Sequence, residues 1–320
     1  MQADGTAAAP DIVVVGSANV DLVVTMASLP APGETVLARE SRLLPGGKGS
    51  NQAIAAARLG RRVAMIGRTG RDTGGDLLHS TLARENVDLT AFLAVDDAPS
   101  GQALVLVDDT AENSIVVIPG ANALVSAGTV DQAAALVRSA RVVVAQLEVP
   151  VDAILAAARL CSGTFVLNAA PAQTLSPELL AEVDVLVVNQ TEFAVVIGGD
   201  ADADPATLVR VLDREGLPRR IVITRGAAGA RVWDDGSLTD VPAPTVKVVD
   251  TTGAGDTFVG ALADGLARGH QLLDAALWAV HAASLATQVL GATGGMPSAD
   301  SVHAALESLD RPVPASVRQG

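Results

Sequence analysis

Short runs of consecutive apolar residues, rich in valine and isoleucine, alternate with amphipathic segments along the first two thirds of the chain. Because each run is continuously apolar, it is typical of a strand that is covered on both faces. The runs predict strands over residues 12–16, 62–67, 141–147, 164–168, 183–189 and 220–224. The segments between them predict helices over residues 52–59, 75–85, 130–139, 151–160 and 191–197. This alternation favours an α/β fold with a mostly parallel central sheet and helices on both sides.

The last third of the chain and two earlier segments depart from this rhythm. Residues 255–268, 272–289 and 299–309 predict three successive helices. Residues 18–44 and 100–119 alternate between apolar and polar positions, as in a half-exposed antiparallel sheet. We therefore expect one α/β domain over residues 11–310, with a small β-sheet lid built from these two segments. Residues 1–10 and 311–320 are expected to be tails.

Charge and composition exclude several classes of protein. The chain has 22 basic and 36 acidic residues, a net charge of −14, which argues against nucleic acid and against an anionic membrane surface as partners. No run approaches the ~20 apolar residues that span a bilayer, and the N-terminus has no signal-peptide pattern, so a cytoplasmic protein is expected. Cys161 is the sole cysteine, which excludes a disulfide framework and a cysteine-based zinc site.

The sequence DTTGAGDTF at residues 250–258 marks a junction between a loop and a helix. Gly253 and Gly255 permit a tight turn, which would leave the amides of Ala254, Gly255 and Asp256 free at the first turn of the helix. Free amides together with the helix dipole form an anion site suited to a phosphoryl group. A carboxylate beside that site indicates a base that accepts a proton from an attacking hydroxyl. The alternative is an aspartate that caps a helix after a glycine turn.

A second glycine cluster, PGGKGSN at residues 45–51, leads into the first predicted helix. It is not a Walker A loop, because Lys48 is followed by glycine and Arg42 stands where the first glycine is required. Asn51 and Lys48 offer donors and an acceptor suited to a polyol. A plain helix-entry turn is the alternative. The turn after the first strand lacks GxGxxG, which weakens a dinucleotide-binding interpretation.

Other polar residues stand where strands end, and in a parallel α/β sheet ligands bind beyond these carboxyl ends. Asn19 and Asp21 follow the first strand, and both could form hydrogen bonds with adjacent hydroxyl groups of a ligand. Glu148 could act in the same way at the end of a later strand, or it could be an exposed strand-end acid.

Three further positions suit a nucleotide. Asn189 and Glu192 would share a helix face, where they could order Mg²⁺ waters and phosphate oxygens. The turn from Thr224 through Gly226 to Gly229 could hold nucleotide phosphates. His281 could flank a base, although a plain helix histidine is equally compatible with its spacing.

Taken together, these motifs resemble the ribokinase-like (carbohydrate and purine) sugar kinase family. The likeness runs from about residue 12 to about residue 298 and rests on GSANVD, PGET, GGKGSN, PGAN, QLE, NQTE, TRGAAG and DTTGAGDTF, in this order. The last motif is highly specific for the family. GGKGSN together with N-x-D points to D-ribose as the acceptor.

The resemblance implies a central α/β sheet with a β-lid that also serves as the clasp of a homodimer. It implies direct in-line transfer from ATP to O5 of D-ribose with Mg²⁺, giving D-ribose 5-phosphate and ADP. Asp256 would be the general base, and the turn over residues 253–256, which includes Gly253, Ala254 and Gly255, the anion hole. The implied ribose site comprises Asn19, Asp21, Gly46, Gly47, Lys48, Asn51, Glu148 and Asp256. The implied ATP site comprises Asn189, Glu192, Thr224, Gly226, Gly229, Gly255 and His281, with Glu192 near Mg²⁺.

The family also binds an activating K⁺ beside the anion hole. The resemblance matches Asp250, the carbonyl of Thr252 and Gly291 to its ligands, and Ala286 and Val289 match as well. The loop at residues 291–298 looks longer than the family's loop, so the resemblance does not assign the last ligand.

Three rival hypotheses stay open on the sequence. The first is a sibling kinase that acts on fructose, 2-keto-3-deoxygluconate or a nucleoside such as adenosine. The second is a catalytically silent sugar-binding regulator. The third is an NAD-dependent oxidoreductase, which the missing GxGxxG disfavours.

Overall fold

The structure is a computed structural model that describes residues 9–109 and 113–309. The tails expected over residues 1–10 and 311–320 lie outside these residues, except for Ala9 and Pro10. In the described ranges the strands are β1 Ile12–Val15, β2 Asn19–Thr25, β3 Glu40–Gly46, β4 Val63–Gly70, β5 Asp88–Val95, β6 Gly101–Val107, β7 Asn113–Ile118, β8 Val142–Gln146, β9 Thr164–Asn168, β10 Val185–Asn189, β11 Arg220–Thr224, β12 Ala230–Asp234 and β13 Ser237–Val241.

The helices of the same ranges are α1 Lys48–Arg58, α2 Thr73–Arg84, α3 Ala127–Gln132, α4 Ala134–Ser139, α5 Val151–Leu160, α6 Pro177–Ala181, α7 Gln190–Val196, α8 Pro205–Leu212, α9 Ala254–Ala267, α10 Leu272–Ala286 and α11 Ala299–Leu309. Two short 3₁₀ helices cover Gly120–Leu124 and Gly226–Ala228. None of these helices is both long and apolar enough to cross a membrane.

The larger sheet has nine strands in the order β13-β12-β11-β10-β9-β8-β1-β4-β5. Its neighbours pair in parallel from β5 to β11, and the last two pairs are antiparallel. Alternate residues of β1 enter different cores. Val14 packs in the cluster that includes α1, α9 and α10, whereas Val13 packs in the cluster that includes α5, α7 and α8. This double burial explains the continuous apolar runs and confirms the predicted α/β class.

The smaller sheet has four strands in the order β3-β2-β6-β7 and forms the expected β-lid. One part of the expectation is wrong, because the central pair, β2 with β6, is parallel. The two strands come from separate segments of the chain, so no hairpin forces them to run in opposite directions. The edge strand β7 exposes four successive apolar side chains, Ile115, Val116, Val117 and Ile118, at 46 to 56%.

Several local elements differ from the sequence prediction. The helix expected over residues 130–139 is broken at Ala133 and begins earlier, because the Ser126 side chain caps the amide of Thr129. Strands β12 and β13 were not predicted. They form a hairpin whose turn residues, Asp235 and Gly236, have φ values of 42° and 98°. Strand β5 and helix α8 were also missed, and the helix expected over 272–289 ends at Ala286.

This topology brings the polar strand ends together. The carboxyl ends of β1, β8, β9, β10 and β11 lie along one edge of the larger sheet, because these strands are parallel neighbours. The chain leaves β1 and enters β2 of the lid at this edge, so the lid lies next to the strand ends.

Candidate active site

Helix α9 begins at a glycine turn that presents backbone amides. Gly253 precedes the helix with φ 74°, and a Cβ there would lie 2.2 Å from the carbonyl oxygen of Ala292. Only glycine therefore fits both the left-handed conformation and the close approach of the loop that contains Ala292. A Cβ at Gly255 would meet no atom within 4 Å, so this position opens onto free space.

Of the three amides expected to be free, those of Gly255 and Asp256 have no acceptor among the described residues. The expectation of three free amides is wrong for Ala254, whose N–H donates to the carbonyl of Thr251 at 3.1 Å. The turn closes on itself through that bond, which leaves a two-amide anion site at the helix N-terminus.

The Asp256 carboxylate, at the same turn, is held by side chains of helix α1. Asn51 Nδ2 donates to Oδ2 at 2.9 Å, and Gln52 Nε2 donates to Oδ1 at 3.0 Å. Helix α1 begins at Lys48, after Gly47 in a φ 90° conformation, so the PGGKGSN segment is indeed a helix-entry turn. Its last residue, Asn51, also donates to the Asp256 carboxylate.

Behind this carboxylate lies a chain of buried amides that sequence analysis missed. Gln52 Nε2 also donates to Asn168 Oδ1 at 3.0 Å, and Gln146 Nε2 donates to Gln52 Oε1 at 2.7 Å. Gln146 and Asn168 end β8 and β9, so the rule that singled out Glu148 could have found both. Nothing in the sequence marks Gln52 apart from its place beside Asn51.

Glu148 lies next to the start of helix α1. Its Oε2 accepts hydrogen bonds from Ser17 Oγ at 2.5 Å and from the Lys48 amide at 3.0 Å. The carboxylate is half-buried, so the alternative of an exposed strand-end acid is wrong.

The residues after β1 are packed directly against the glycine cluster. A Cβ at Gly46 would lie 2.1 Å from Asp21 Oδ2, and a Cβ at Gly47 would lie 2.7 Å from the Asn19 amide nitrogen. The two glycines therefore let the loop approach Asn19 and Asp21. The structure brings every residue of the expected sugar site to this corner between the lid, α1 and the strand ends.

Charge at this corner is unevenly compensated. Burial, together with repulsion from Glu148 and Asp256, raises the pKa of Asp21 to about 7. Burial opposes the charge of Lys48, but attraction from Asp256, Glu148 and Glu192 outweighs it and raises the pKa of the amine. The site therefore holds a permanent cation and one carboxyl group that titrates near neutral pH.

A cavity of about 150 Å³ lies beside Asp256. Polar groups from three strand ends, the first turn of α7, the α9 turn and the start of α1 line it. The lining residues are Lys48, Asn168, Ala170, Val187, Asn189, Glu192, Thr224, Gly253, Gly255, Asp256 and Val259. Several residues expected in the sugar site and in the nucleotide site thus face one space around the carboxylate.

Asn189 and Glu192 line this cavity, but they do not share a helix face. Asn189 precedes α7 as its cap, and its Oδ1 accepts from the Glu192 amide at 2.8 Å. The Glu192 carboxylate accepts in return from the Asn189 amide and side chain, at 2.8 and 2.9 Å. This reciprocal capping explains the spacing of the motif. Burial raises the pKa of Glu192.

Comparison with known proteins identifies the group to which the chain belongs. The profile of the pfkB family of carbohydrate kinases matches residues 9–299. The chain belongs to this family. Ribokinase of Haemophilus influenzae is 34% identical over 293 residues, covering 90% of this chain and 95% of that protein. Ribokinase of Bacillus subtilis is 34% identical over 296 residues, covering 92% and 98%.

A solved structure extends this likeness to the fold. The structure of Arabidopsis thaliana ribokinase complexed with ribose and ATP superimposes with a TM-score of 0.87 at 32% identity. The match covers 93% of this chain and 99% of that one. The expected family and fold are therefore confirmed.

In this pfkB-family chain, three residues of the expected nucleotide site do not line the cavity. Gly226 and Gly229 lie in the turn after Thr224, with φ values of 54° and 85°. A Cβ at Gly229 would lie 2.0 Å from the Val241 carbonyl oxygen, so this glycine lets the turn pack on β13. His281 is buried within α10, and its Nδ1 lies 2.9 Å from the Leu277 carbonyl oxygen. This arrangement agrees with the alternative of an ordinary helix histidine.

The expected cation ligands converge beside the α9 turn. Asp250 Oδ1 accepts from the amide and the hydroxyl of Thr252, at 2.9 and 2.7 Å, and Oδ2 accepts from the Gly291 amide at 2.7 Å. The Asp250 amide donates to the Thr287 carbonyl, which ties this segment to the end of α10 near Ala286 and Val289. These hydrogen bonds outweigh burial and lower the pKa of Asp250. A charged carboxylate is an oxygen ligand that suits a hard cation.

Proposed function

We propose that this protein transfers the γ-phosphoryl group of ATP to O5 of D-ribose, giving D-ribose 5-phosphate and ADP. The observation that carries the proposal is the Asp256 carboxylate, fixed by Asn51 and Gln52 beside two unpaired amides and a polar cavity. The likeness to ribokinases across more than 90% of the chain supports ribose as the acceptor.

In this proposal the sugar lies among Asn19, Asp21, Asn51 and Glu148. Buried acceptors without partners in the described chain, Asp21 Oδ1 and Asn51 Oδ1, would accept bonds from its hydroxyls. Gly46 and Gly47 keep the loop close to Asn19 and Asp21. The lid β-sheet would close over the sugar and keep water from the phosphoryl group.

The transfer is a direct in-line displacement. The bond from O5 to the γ-phosphorus forms as the bond to ADP breaks, and Asp256 takes the proton of the hydroxyl. The amides of Gly255 and Asp256 donate to the charge that develops on the phosphoryl oxygens. Lys48, whose pKa is raised, adds a fixed positive charge to the same cavity.

Asn189, Glu192 and Thr224 would contact ATP and its Mg²⁺, with Gly226, Gly229 and His281 further out. No group of three or more metal-ligating side chains occurs within residues 9–109 and 113–309. Glu192 would bind the waters of an ion that the phosphates carry. Bound magnesium neutralises phosphate charge during transfer.

The carboxylate of Asp250 and the carbonyls of Thr252, Ala286, Val289 and Gly291 would hold K⁺. The hydrogen bonds that join Asp250 to Thr252 and Gly291 support this part of the proposal, since they gather the segments beside the anion site. A bound monovalent cation supplies positive charge that stabilises the turn before α9.

We further propose a homodimer formed through the lid. The exposed apolar residues Ile115, Val116, Val117 and Ile118 lie on an edge strand, which natural proteins usually cover. Sedimentation equilibrium of the protein and of an Ile115→Glu/Val117→Glu variant tests this, with a monomeric parent as the contradicting result. The use of ATP as phosphate donor leads us to propose a cytoplasmic location.

The test of function is coupled ADP release with ATP and Mg²⁺ across ribose, fructose, 2-keto-3-deoxygluconate and adenosine. We expect a strong preference for ribose. Preference for another acceptor would support phosphoryl transfer from ATP but contradict ribose as the substrate. Binding of ribose without ADP release would instead indicate a silent regulator.

A further inference from the structure

Gln52 is fully buried, and its side-chain amide touches the carboxylate that acts as the base. We infer that Gln52 is a positioning residue, which fixes the Asp256 carboxylate for proton transfer while making no contact with either substrate. The inference rests on the proposed function, in which Asp256 takes the proton of the sugar hydroxyl.

The hydrogen bonds of Gln52 determine the orientation of its amide. Nε2 lies 3.0 Å from the acceptors Asp256 Oδ1 and Asn168 Oδ1, so both of its hydrogens are used. Oε1 accepts from Gln146 Nε2 at 2.7 Å. A flipped amide would place oxygen against two acceptors and nitrogen against a donor. The network therefore permits one orientation, in which a donor always points at the carboxylate.

Gln52 and Asn51 together hold the carboxylate at both oxygens. Asn51 donates to Oδ2 at 2.9 Å, so two donors one residue apart on α1 fix the plane of the group. The two residues differ in what remains for a ligand. Asn51 keeps a buried Oδ1 without a partner in the described chain, whereas both Nε2 hydrogens and Oε1 of Gln52 are engaged by protein. Loss of Gln52 should therefore affect turnover and leave substrate affinity unchanged.

Gln146 provides a second position from which the same carboxylate can be affected, through Gln52. It is fully buried at the end of β8, and its Nε2 donates to Gln52. No described hydrogen bond joins Gln146 to Asp256. A change at Gln146 therefore reaches the base only through Gln52. The effects of substitutions at the two positions on kcat should therefore be non-additive.

The experiment compares Gln52→Met and Gln52→Asn with the unmodified enzyme, using ribose and ATP. Methionine keeps the length of the side chain without the donors, and asparagine keeps the amide but is one methylene too short. We expect kcat to fall about 10- to 100-fold for both variants, because misplacement of a catalytic group by about 1 Å has such effects. The Kd of ribose by calorimetry and the KM of ATP should stay within about twofold. Gln132→Met, at an exposed position, is the matched control and should keep the parental kcat.

Coupling is tested with Gln146→Met and the double variant. Alone, Gln146→Met should lower kcat by a smaller factor than Gln52→Met, and it should add no further loss in the Gln52→Met background. If Gln52 and Gln146 had a merely structural role, their losses of kcat would multiply in the double variant. Each loss would also follow the folded fraction measured by circular dichroism.

Full kcat in a folded Gln52→Met variant, beside an active parent, would overturn the inference and leave the proposed function intact. A raised Kd of ribose with unchanged kcat would also overturn it. If the parent itself does not phosphorylate ribose, the proposed function and the inference fail together.

Discussion

Asn122 Nδ2 lies 2.7 Å from Asn19 Oδ1 and joins the 3₁₀ helix after the lid to the first residue of β2. The Asn122 side chain also bonds the Ala18 backbone twice, at 3.0 and 3.2 Å. A Cβ at Gly101 would lie 2.2 Å from Asn122 Nδ2, so the pair fits only beneath a glycine. Because Oδ1 of Asn19 is taken, its amide hydrogens are left for a ligand. Asn122 therefore orients a residue of the proposed sugar site.

Replacement of Asn122 by alanine should free the side chain of Asn19. We expect the KM of ribose to rise about 10-fold with little change in the KM of ATP, because one buried donor is lost near the sugar alone. Ser126→Ala is the matched control, since it removes the cap of α3 without reaching Asn19. It should lower the free energy of unfolding by about 1 kcal/mol and leave both KM values unchanged. An unchanged ribose KM in Asn122→Ala would contradict the assignment.

Asp256→Asn tests the general base, because it preserves shape and removes the proton acceptor. We expect kcat to fall about 10²- to 10⁴-fold, the usual contribution of general base catalysis. Ribose should still bind, as calorimetry would show, since the hydrogen bonds of Glu148 to Ser17 and Lys48 do not involve Asp256. Near-parental turnover in this variant would reject Asp256 as the base.

The raised pKa of Asp21 predicts that ribose binding depends on pH. Below about pH 7 the group is protonated in the free protein, so it offers a weaker acceptor to sugar hydroxyls. As pH rises through 7 the carboxylate forms, and ribose affinity should rise roughly tenfold between pH 6 and pH 8. Calorimetry should also show proton release on binding near pH 7, from the dependence of the heat on the buffer.

Asp21→Asn is the control for this pH dependence. It should bind ribose more weakly and with a flat profile over the same range, because Lys48 keeps its charge and the group that titrates is gone. A flat profile in the unmodified protein would show that burial, together with Glu148 and Asp256, does not hold Asp21 protonated.

Asp250→Asn tests the proposed K⁺ site. The change keeps a side-chain oxygen but removes the charge that would attract the cation beside Thr252 and Gly291. We expect ADP release by the parent to increase with K⁺ at constant ionic strength, and the variant to show no such increase. Tetramethylammonium serves as the control for ionic strength. Equal activation of parent and variant by K⁺ would place the cation elsewhere.

Gly253 and Gly269 stand at the two ends of α9, with φ values of 74° and 87°. Alanine at Gly269 meets no atom within 4 Å, so it should cost about 1 to 2 kcal/mol from backbone conformation alone. Alanine at Gly253 adds a clash with the Ala292 carbonyl, so it should destabilise more and also lower kcat by moving the anion site. Denaturant unfolding and turnover of both variants check this. A similar kcat in the Gly253→Ala and Gly269→Ala variants would contradict the role of the α9 turn as the anion site.

Much of the fold followed from local patterns. The continuous apolar runs identified six strands of the larger sheet, because burial on both faces leaves no polar position in a strand such as Ile12–Val15. The reciprocal cap of Asn189 and Glu192 is also a local pattern, and its N-x-x-E spacing could have been assigned from the sequence. Strands β12 and β13 could also have been predicted from the sequence, because an Asp–Gly turn joins them.

The sequence by itself determined the α/β class, the lid segments and the position of Asp256 at a glycine turn, since each depends on neighbouring residues. Only the tertiary structure decided which side chains meet that carboxylate. Gln52 lies 204 positions from Asp256, and Asn122 lies 103 from Asn19, so neither pair leaves a local pattern. The folded chain likewise decided that the Ala254 amide is engaged, that His281 is buried and that β2 and β6 are parallel. Hydrogen bonds between distant segments depend on how strands and helices pack, and packing is a property of the whole chain.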